Sequence, residues 1–504
     1  MAAVAEIPVP KSNTTIKVST GLFINNEFVP SEDPNSKIEV VNPHTEQVLC
    51  SIAAATAKDV DRAVAAARKA FRTTWGKNVT GFERSRLLNK LADLIERDQQ
   101  VLAELETLNN GKPVKIARDF DIGDSVGCLR YYAGWADKVV GQSIEVNRST
   151  KLAITHPDPI GVCGQIIPWN YPIMMWAWKV APALAVGCTI VMKPSELTPL
   201  TALKLSELVV EAGFPPGVIN TIPSFGSVGG QALAEHHDVD KVAFTGSTVT
   251  GRRIMEAAAK SNIKKVSLEL GGKSPHLIFE SADLDQAANW ACLGILYNTG
   301  QDCTAGSRVY VQDTVYDKFV NILVAKAEQL KVGDGFDDEN GGGPVVSKTQ
   351  YDRVWSYIEA GKKEGATVLT GGKKRSTTGF YVDPTIFADI KPNMKIVREE
   401  IFGPVLVVGK FSTEDEAITL ANDTVYGLGA GLHSTDQAQC FRVSNALEAG
   451  TVWVNQYNVL YNNVPFGGKK QSGIGRELGM HALEEYISTK AVHFNYGEKL
   501  DWPL

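Results

Sequence analysis

The chain has 504 residues, more than a single hydrophobic core usually supports, so two or three domains are expected. Its formal net charge of −6 gives no electrostatic basis for binding nucleic acid or an anionic membrane. The 7 cysteines include no CxxC pair and the 8 histidines no H-x(3–5)-H pair, so no metal site is expected.

The N-terminal stretch MAAVAEIPVPKSNTT has no charged segment followed by an apolar run, and it is poor in arginine. Neither a secretory signal nor a mitochondrial presequence is therefore expected. The most apolar region, residues 159–192, is interrupted by prolines and by Lys179, which indicates buried strands and loops rather than a membrane span. An odd number of cysteines then fits reduced thiols, and a cytoplasmic location is predicted.

The first predicted elements are a hairpin and a helical region. LFINNEFVP contains two short β-prone runs around Asn25-Asn26, which predicts the hairpin. Apolar residues then recur at helical spacing from Val60 to Leu105, and this region is expected to end near Gly111. Further along, SIEVNRSTKLAIT alternates in the manner of a second hairpin.

From residue 160 onward the pattern changes to strand, turn and helix. TIVMK precedes a helical segment that runs up to Gly213, and GVINTIP and KVAFTG precede SVGGQALAEHH and STVTGRRIMEAAA in the same way. A second such stretch covers about 271–470, where the strand RVYVQ precedes the helical VYDKFVNILVAKAEQL. This alternation predicts parallel βαβ units, an α/β fold class and closely packed domains.

Two loops after predicted strands could bind a nucleotide. FTGSTVTG (244–251) leads from a strand through a glycine turn into a helix, which suits a pyrophosphate, although such a turn is often only a turn. Arg252 follows Gly251, so this is not a Walker A motif. VMKPSE, with Lys193 and Glu196, is either a solvated loop or a ribose site whose carboxylate favours NAD over NADP.

Three further residues could carry chemistry. Glu269, between two leucines, is either a buried general base with a raised pKa or a solvent-facing residue of an edge strand. Asn170, in IIPWNYP, is either a turn contact or a donor aimed at developing negative charge. Cys303, in QDCTAGSR, is either core packing or a reactive thiol on a loop.

Taken together, these segments resemble the aldehyde dehydrogenase superfamily, and within it the NAD-dependent class 1/2-type enzymes, most like the fungal cytosolic ones. The similarity runs from about residue 20 to 495, and its ordered motifs make a chance match negligible. These motifs are PWNYP, MKPSE, GFPPGVIN, AFTGST, LELGGKSP, GQDCTAGSR, EEIFGPV, GTVWVN and PFGGKKQSGIGRELG.

The resemblance implies the aldehyde dehydrogenase fold, with a Rossmann-like NAD-binding domain, an α/β catalytic domain and a small β oligomerisation element. It assigns residues 1–135 and 160–271 to the first, 272–471 to the second, and 136–159 with 487–504 to the third. Relatives of this type are usually homotetramers, which are dimers of dimers paired through the β element. The expected partners are a small-molecule aldehyde and further copies of the chain, with no nucleic acid and no membrane.

The resemblance also implies oxidation of an aldehyde to a carboxylic acid with NAD. Cys303 would attack the carbonyl, while Asn170 and the backbone N–H of Cys303 would stabilise the oxyanion of the thiohemiacetal. Hydride transfer would leave a thioester, which water activated by Glu269 would hydrolyse. Glu477, in GRELG, is similar to a second carboxylate near the site and would take part in a proton relay.

The cofactor residues are carried over by their positions in the motifs. Lys193 and Glu196 would hold the adenosine ribose, and Glu400 and Phe402 would hold the nicotinamide ribose and ring. The other positions, which include the glycines expected near the phosphates, are Ile166, Ile167, Pro168, Trp169, Gly226, Gly230, Phe244, Gly246, Ser247 and Leu270.

The substrate tunnel implied in the same way is mostly apolar, which suits aliphatic or aromatic aldehydes. It consists of Tyr171, Met175, Trp178, Asp302, Val459, Leu460 and Phe466. Relatives often have an aromatic residue at the position of Leu460, so the tunnel is expected to be wider there. Asp302 takes a place more often held by an apolar residue or a cysteine. We hypothesise that it tunes substrate preference towards aldehydes with a hydroxyl group or a cation.

Three alternatives stay open at this point. A CoA-acylating dehydrogenase would pass its thioester to CoA and would have less need of Glu269. A cysteine esterase would use the same acyl-enzyme without NAD, although no histidine stands in a recognisable Cys-His pattern. A non-catalytic binding protein on the same fold would have no use for Cys303, Glu269 and Asn170.

Overall fold

The computed structural model describes residues 3–12 and 14–502. Residues 1–2, 13 and 503–504, which belong to the predicted N-terminal and C-terminal segments, lie outside this description. The body of the protein is formed by an eight-stranded and a seven-stranded β-sheet, and three small antiparallel sheets are added to it. None of the described helices is long and apolar enough to cross a lipid bilayer.

The eight-stranded sheet is parallel in its centre and antiparallel at both edges. Apolar residues that alternate along its strands belong to two separate cores, as Cys163 and Val162 do, so the sheet is covered on both faces. From edge to edge its strands are Gly473–Ile474, Lys265–Glu269, Lys241–Thr245, Val162–Ile166, Thr189–Lys193, Ile219–Thr221, Leu22–Ile24 and Glu27–Val29.

The strand order of this sheet reverses at Val162–Ile166. The chain continues from this strand to Thr189–Lys193 on one side, and it returns later to Lys241–Thr245 on the other side. In parallel sheets such a reversal opens a crevice beyond the carboxyl ends of the two strands, where ligands bind. The segments that begin at Ile167 and at Gly246 leave the sheet at this crevice.

The seven-stranded sheet is parallel except for one edge strand. Its strand Pro275–Ile278 follows Lys265–Glu269 of the first sheet after only five residues, so the two sheets are joined directly beside Glu269. From edge to edge its strands are Thr367–Thr370, Thr385–Ala388, Val405–Phe411, Arg308–Gln312, Pro275–Ile278, Gly429–His433 and Thr451–Val454.

The largest of the small sheets contains three antiparallel strands in the order Ile487–Asn495, Lys151–Pro159 and Ser143–Asn147. All five residues of its edge strand Ser143–Asn147 are exposed. The two other small sheets are hairpins, formed by Val4–Pro8 with Thr15–Ser19 and by Lys37–Val41 with Val48–Ala53.

The helices connect these strands and cover the sheets. With the first sheet are Ala57–Thr73, Gly81–Arg97, Gln99–Asn110, Val114–Ile116, Gly123–Ala133, Pro172–Val186, Leu200–Ala212, Gln231–Glu235 and Thr248–Lys260, and the π-helical segments Ala117–Ile122 and Gly226–Gly230. With the second sheet are Leu284–Leu296, Tyr316–Gln329, Lys348–Glu364, Lys395–Arg398, Glu414–Asn422 and Gln437–Ala446, whereas His481–Glu484 packs against Pro172–Val186 in the core of the first sheet. Short 3₁₀ turns occupy Gly76–Asn78, Tyr297–Gly300, Asp313–Val315 and Lys470–Ser472, and the two-residue strand Gly473–Ile474 follows the last of these turns.

The elements predicted from turn and cap residues occur where the sequence placed them. Asn25 and Asn26 both have positive φ angles (57° and 62°) and connect the first predicted hairpin, as a two-residue turn of this kind requires. Gly111 ends its helix in the left-handed conformation, with φ 96°. SVGGQALAEHH is less regular than predicted, because a π-helical segment precedes its short α-helix.

Candidate active site

A cavity of about 690 Å³ lies at the crevice of the first sheet and is closed on its other side by loops of the second sheet. Segments expected to bind cofactor, to react and to bind substrate meet in it. The predicted residues that line it are Pro168, Trp169, Asn170, Tyr171, Met175, Trp178, Gly246, Ser247, Glu269, Leu270, Asp302, Cys303, Glu400, Phe402, Val459, Leu460, Phe466 and Glu477.

The remaining predicted residues do not line this cavity. Lys193 and Glu196 follow the strand next to Val162–Ile166, where the Lys193 Nζ donates a 3.1 Å hydrogen bond to Glu196 Oε2. An added Cβ on Gly230 would lie 3.8 Å from the Lys193 side chain, so these three residues are neighbours. The others of this group are Ile166, Ile167, Gly226 and Phe244, of which only Gly226 is exposed.

Cys303 lies on a loop held in an unusual backbone conformation. Asn298, Thr299 and Gly300 have consecutive φ angles of 50°, 56° and 67°, which is a strained arrangement for the two residues that carry a Cβ. Side-chain bonds fix this turn, because Asn298 Nδ2 donates to the Gln301 carbonyl (3.1 Å) and Thr299 Oγ1 to the Gly343 carbonyl (3.0 Å). The loop is therefore placed by tertiary contacts rather than by local preference.

The cysteine side chain is partly exposed to the cavity and stands among acidic groups. Burial raises the pKa of the Cys303 thiol well above its ordinary value, and the charges of Asp302, Glu400 and Glu269 raise it further. No lysine or arginine of the described residues contributes a lowering of this pKa, so the environment favours the protonated thiol at neutral pH.

Asn170 points its amide at the cysteine loop. Its Nδ2 donates a 3.1 Å hydrogen bond to the backbone carbonyl of Gln301, two residues before Cys303. A carbonyl accepts only from the NH₂ side of an amide, so this bond fixes the orientation of the side chain. The amide has a second N–H, and Asn170 lines the same cavity as Cys303. The turn-contact reading and the donor reading are compatible in this geometry.

Glu269 ends the strand Lys265–Glu269 and is only 5% exposed. It pairs with Thr245 on one side and Gly473 on the other, so it is not a solvent-facing residue of an edge strand. Its Oε2 has no hydrogen-bond partner among the described residues. Burial raises the pKa of Glu269 well above its ordinary value and the charge of Glu477 raises it further, while Lys179 opposes the shift.

The structure adds Lys179, a residue the sequence reasoning noted only as an interruption of an apolar region. Its side chain is 1% exposed and forms an ion pair with Glu477, and its Nζ donates a 2.7 Å hydrogen bond to Thr245 Oγ1. Glu477, Lys179 and Glu269 thus form one charged group at the carboxyl edge of the first sheet. A lysine inside WAWKVAP is the only sequence signal that could have found it, because a buried lysine needs a partner.

Asp302 is buried (6% exposed) and accepts several hydrogen bonds from neighbouring side chains and from the main chain. It accepts from the Thr304 N–H (3.0 Å), the Thr304 hydroxyl (2.9 Å), the Tyr171 hydroxyl (3.3 Å) and the Asn458 amide (2.5 Å). Tyr171 and Asn458 line the same cavity, and sequence reasoning missed Asn458.

A second carboxylate at this end of the cavity was also missed. Asp124 accepts a 2.7 Å hydrogen bond from the Trp178 indole, and burial raises the pKa of Asp124 to about 6. The walls of the predicted tunnel are therefore mostly apolar, but Asp302 and Asp124 add acidic side chains to them, and Asp119 also lines the cavity.

The remaining part of the cavity suits a dinucleotide. Gly246 and Ser247 line it and directly precede the helix Thr248–Lys260, so the beginning of this helix, where anions bind, lies at the cavity edge. The ring of Phe402 packs edge-on against Trp169, at 5.1 Å between centroids. Burial raises the pKa of Glu400 to about 7, and its carboxylate accepts a hydrogen bond from the Gly272 N–H (2.9 Å).

The described residues include no group of three or more His, Cys, Asp or Glu arranged to hold a metal ion. Two oxygen atoms at the cavity, Glu269 Oε2 and Glu477 Oε2, have no hydrogen-bond partner among the described residues. Both belong to the charged group that these glutamates form with Lys179. The chemistry that this arrangement supports is nucleophilic attack by sulfur with an amide donor and a carboxylate base beside it.

The chain is similar to known proteins over nearly its whole length. The model of the aldehyde dehydrogenase family matches residues 28–492. An aldehyde dehydrogenase of Emericella nidulans is 54% identical over 95% of this chain and 96% of its own, and a mitochondrial aldehyde dehydrogenase of Leishmania tarentolae is 51% identical over 94% of each chain. The NAD+ complex of an aldehyde dehydrogenase from Bacillus cereus superposes with a TM-score of 0.93 at 51% identity, covering 94% of this chain and 96% of that one.

The charge beside the thiol leads to a first prediction. Exchange of Asp302 for asparagine removes the charge that raises the pKa of Cys303 most while keeping the side-chain shape, so this pKa should fall. We expect the rate of alkylation by iodoacetamide at pH 8 to rise, and the pH of half-maximal rate to shift downward by about one unit. Labelling of Cys303 is followed by peptide mass spectrometry across a pH series.

The matched control is Cys303→Ser, which measures the background from the partly exposed Cys50 and Cys292. An unchanged or higher pH of half-maximal labelling in Asp302→Asn would contradict the prediction.

Proposed function

The chain belongs to the aldehyde dehydrogenase family, and on that premise we propose that Cys303, Asn170 and Glu269 carry out its reaction. The family and the fold expected from the motifs are confirmed, and the chain is an enzyme that oxidises aldehydes to carboxylic acids with NAD+. The observation that supports the residue roles is the convergence of a sulfur nucleophile, an oriented amide and a buried carboxylate in one cavity.

In the first step the Cys303 thiol loses its proton to solvent water, its sulfur bonds to the aldehyde carbon, and the carbonyl electron pair moves to oxygen. The Asn170 amide and the Cys303 backbone N–H donate hydrogen bonds to this oxyanion. Such hydrogen bonds stabilise the negative charge more in a dry cavity than in water. When bound, NAD+ would supply the hydride acceptor, and loss of the hydride would turn the thiohemiacetal held on Cys303 into a thioester.

Glu269 completes the cycle as general base. Its raised pKa suits the removal of a proton from water, which then attacks the thioester and releases the acid and the thiol. We assign to Glu477, with Lys179, the role of passing this proton onward; the electrostatic effect of Glu477 on Glu269 and its pairing with Lys179 support this assignment. The two catalytic alternatives account for fewer of these groups. A CoA-acylating enzyme needs no base that activates water, and an esterase needs no hydride acceptor.

The cofactor is assigned to the first sheet, in line with the predicted division of the chain into 1–135 with 160–271 and 272–471. Gly246 and Ser247 would hold the pyrophosphate, and Glu400 and Phe402 the nicotinamide ribose and ring. Glu196, 36% exposed at its side chain and paired with Lys193, would accept from the ribose hydroxyls and would repel a 2′-phosphate. The enzyme is therefore proposed to prefer NAD over NADP.

We assign oligomerisation to residues 136–159 and 487–504. The three-stranded sheet of these segments has an exposed edge strand, and isolated exposed edges are uncommon because they template further pairing. Exposed apolar side chains cluster in the same segments: Val140, Ile144, Val146, Leu152, Phe494, Tyr496, Leu500 and Trp502. A cytoplasmic homotetramer is the state proposed.

The nucleophile is tested with Cys303→Ala. NADH formation should fall by at least about 10³-fold for every aldehyde of an aliphatic and aromatic panel, with or without CoA, because no thiohemiacetal can form. The measurement is the absorbance of NADH at saturating NAD+. An NAD-dependent rate that survives in the alanine variant would overturn the mechanism, and a rate that requires CoA in the parent enzyme would favour the acylating alternative.

The base is tested with Glu269→Gln, which keeps the shape of the side chain. Acylation should still proceed, so a burst of NADH stoichiometric with Cys303 should precede a steady rate reduced by about 10²- to 10⁴-fold. Rapid-mixing kinetics measure the burst, and intact-mass spectrometry detects the thioester. Loss of the burst together with the steady rate would argue against a role confined to hydrolysis.

Substrate preference is tested with Asp302→Val. We expect the ratio of kcat/KM for a cationic aldehyde to that for an unsubstituted aliphatic aldehyde to fall by about tenfold, and the same ratio for a hydroxyaldehyde to fall by less. Asp302→Asn is the matched control, because it removes the charge but keeps polar atoms towards Thr304 and Asn458. Equal specificity profiles for the parent enzyme and Asp302→Val would refute the hypothesis.

A further inference from the structure

A fully buried charged cluster lies next to the segment that carries Asn170. It consists of Glu106, Lys112 and Asp121, whose side chains are each 0% exposed. Lys112 forms an ion pair with Asp121, and its Nζ lies 3.7 Å from Glu106 Oε1. None of the three lines the cavity, and the reaction described above uses none of them.

The cluster holds the main chain on both sides of Tyr171. The Lys112 Nζ donates a 3.0 Å hydrogen bond to the backbone carbonyl of Asn170 and lies 4.4 Å from the centre of the Tyr171 ring. Glu106 Oε2 accepts from the Ile173 N–H at 3.3 Å. Ile173 is in the first turn of the helix Pro172–Val186, whose preceding residue makes no side-chain cap, so Glu106 supplies the missing acceptor.

Asn170 is thereby fixed at its backbone and at its side chain. Its carbonyl accepts from Lys112 Nζ and from Asn298 Nδ2 (2.9 Å), while its own amide donates to Gln301. Asn298 and Gln301 belong to the strained loop of Cys303. The contacts of Lys112 therefore act on the relative position of the amide and the sulfur.

Stability alone does not account for this cluster. Buried ion groups are often no more stabilising than apolar side chains of the same volume, because each charge loses its hydration. Glu106 Oε1 and Asp121 Oδ1 have no hydrogen-bond partner among the described residues, which adds to the cost. The pKa of Glu106 is raised to about 8, mainly by burial; the charge of Lys112 opposes this shift and that of Asp121 adds to it. What the lysine provides, and an apolar residue could not, is a charged donor to one particular carbonyl.

We propose that Lys112 is a positioning residue that sets the place of the Asn170 amide relative to the Cys303 sulfur. Asp121 and Glu106 hold Lys112 in the position from which it does so. The inference rests on the proposed role of Asn170 as oxyanion donor. A displacement of about 1 Å at a reacting group is enough to lower a rate by about 10²-fold, so a small shift of this carbonyl has a large kinetic effect.

The test compares Lys112→Met with Lys241→Met. Lys241 is an equally buried lysine that pairs with Glu485. It is the first residue of the strand Lys241–Thr245, whereas the cavity lies beyond the other end of this strand, at Thr245. We expect Lys112→Met to lower kcat by about 10- to 100-fold with an unchanged KM for NAD+. Lys241→Met should lower the unfolding temperature and leave kcat unchanged. An unchanged kcat in folded Lys112→Met, or an equal loss in Lys241→Met, would overturn the inference.

A double-mutant cycle separates this inference from the proposed function. Asn170→Ala alone tests the oxyanion donor, and an unchanged kcat there would refute that role itself. If Asn170→Ala lowers kcat, then Lys112→Met should cost little more in the Asn170→Ala background, because its effect passes through Asn170. Effects that multiply would refute the positioning role and leave the oxyanion donor in place.

Asp121→Asn provides the same test if Lys112→Met does not fold. It keeps an oxygen beside the Lys112 ammonium but removes the charge that holds it. A lower kcat with unchanged KM for NAD+ supports the inference, and a parental kcat in the folded variant overturns it.

Discussion

The contact between Gly272 and the backbone of Cys303 is the constraint on which the active site depends. Gly272 lies on the short connection from the first sheet to the second, and a Cβ at this position would stand 2.3 Å from the Cys303 carbonyl oxygen. Only a residue without a side chain allows the two segments to approach this closely. The Gly272 N–H also donates to Glu400, so the same turn places a cofactor residue, and Glu269 stands three residues before it.

This close approach concentrates negative charge around the sulfur. Glu269, Glu400 and Asp302 each raise the pKa of the Cys303 thiol, and Glu477 raises that of Glu269. Lys179 and Arg476 oppose the shift of the Glu269 pKa, and Lys179 is paired with Glu477 rather than with Glu269. Glu269 is therefore disposed to take up a proton, and Cys303 to keep one, until a ligand alters the charge of the cavity.

Sequence reasoning located the residues that follow strands and lie in distinctive turns. Asn170 and Glu269 stand at or just beyond the carboxyl ends of parallel strands, and Cys303 stands in a glycine-rich loop, so the motif and the fold point to the same positions. The sequence left open whether Glu269 is a buried base or a solvent-facing residue of an edge strand. Only the strands that pair with it decide between these alternatives. One of its pairing partners, Gly473, belongs to a two-residue strand that has no hydrophobic pattern of its own.

What the sequence could not provide are the partners brought in over long chain distances. Lys179 meets Glu477 across 298 residues, and Lys112 meets the Asn170 carbonyl across 58. Lys112 stands just after a helix-ending glycine, where a lysine normally reaches solvent, and nothing in its surroundings predicts complete burial. Such contacts arise when segments distant in the sequence pack together, and the local periodicity of apolar residues does not predict them.

The geometry of Asp302 changes how this carboxylate can act on substrates. Its oxygens already accept from Thr304, Tyr171 and Asn458, so a substrate hydroxyl that bonded to it would have to displace one of these donors. A direct hydrogen bond would thus gain little, because one protein donor would be lost for each substrate donor gained. The hydrogen bonds within the protein do not remove the negative charge of Asp302. Its electrostatic attraction for a cationic substrate remains, because the cavity walls are mostly apolar. An effect of Asp302 on specificity should therefore be larger for cationic aldehydes than for neutral hydroxyaldehydes.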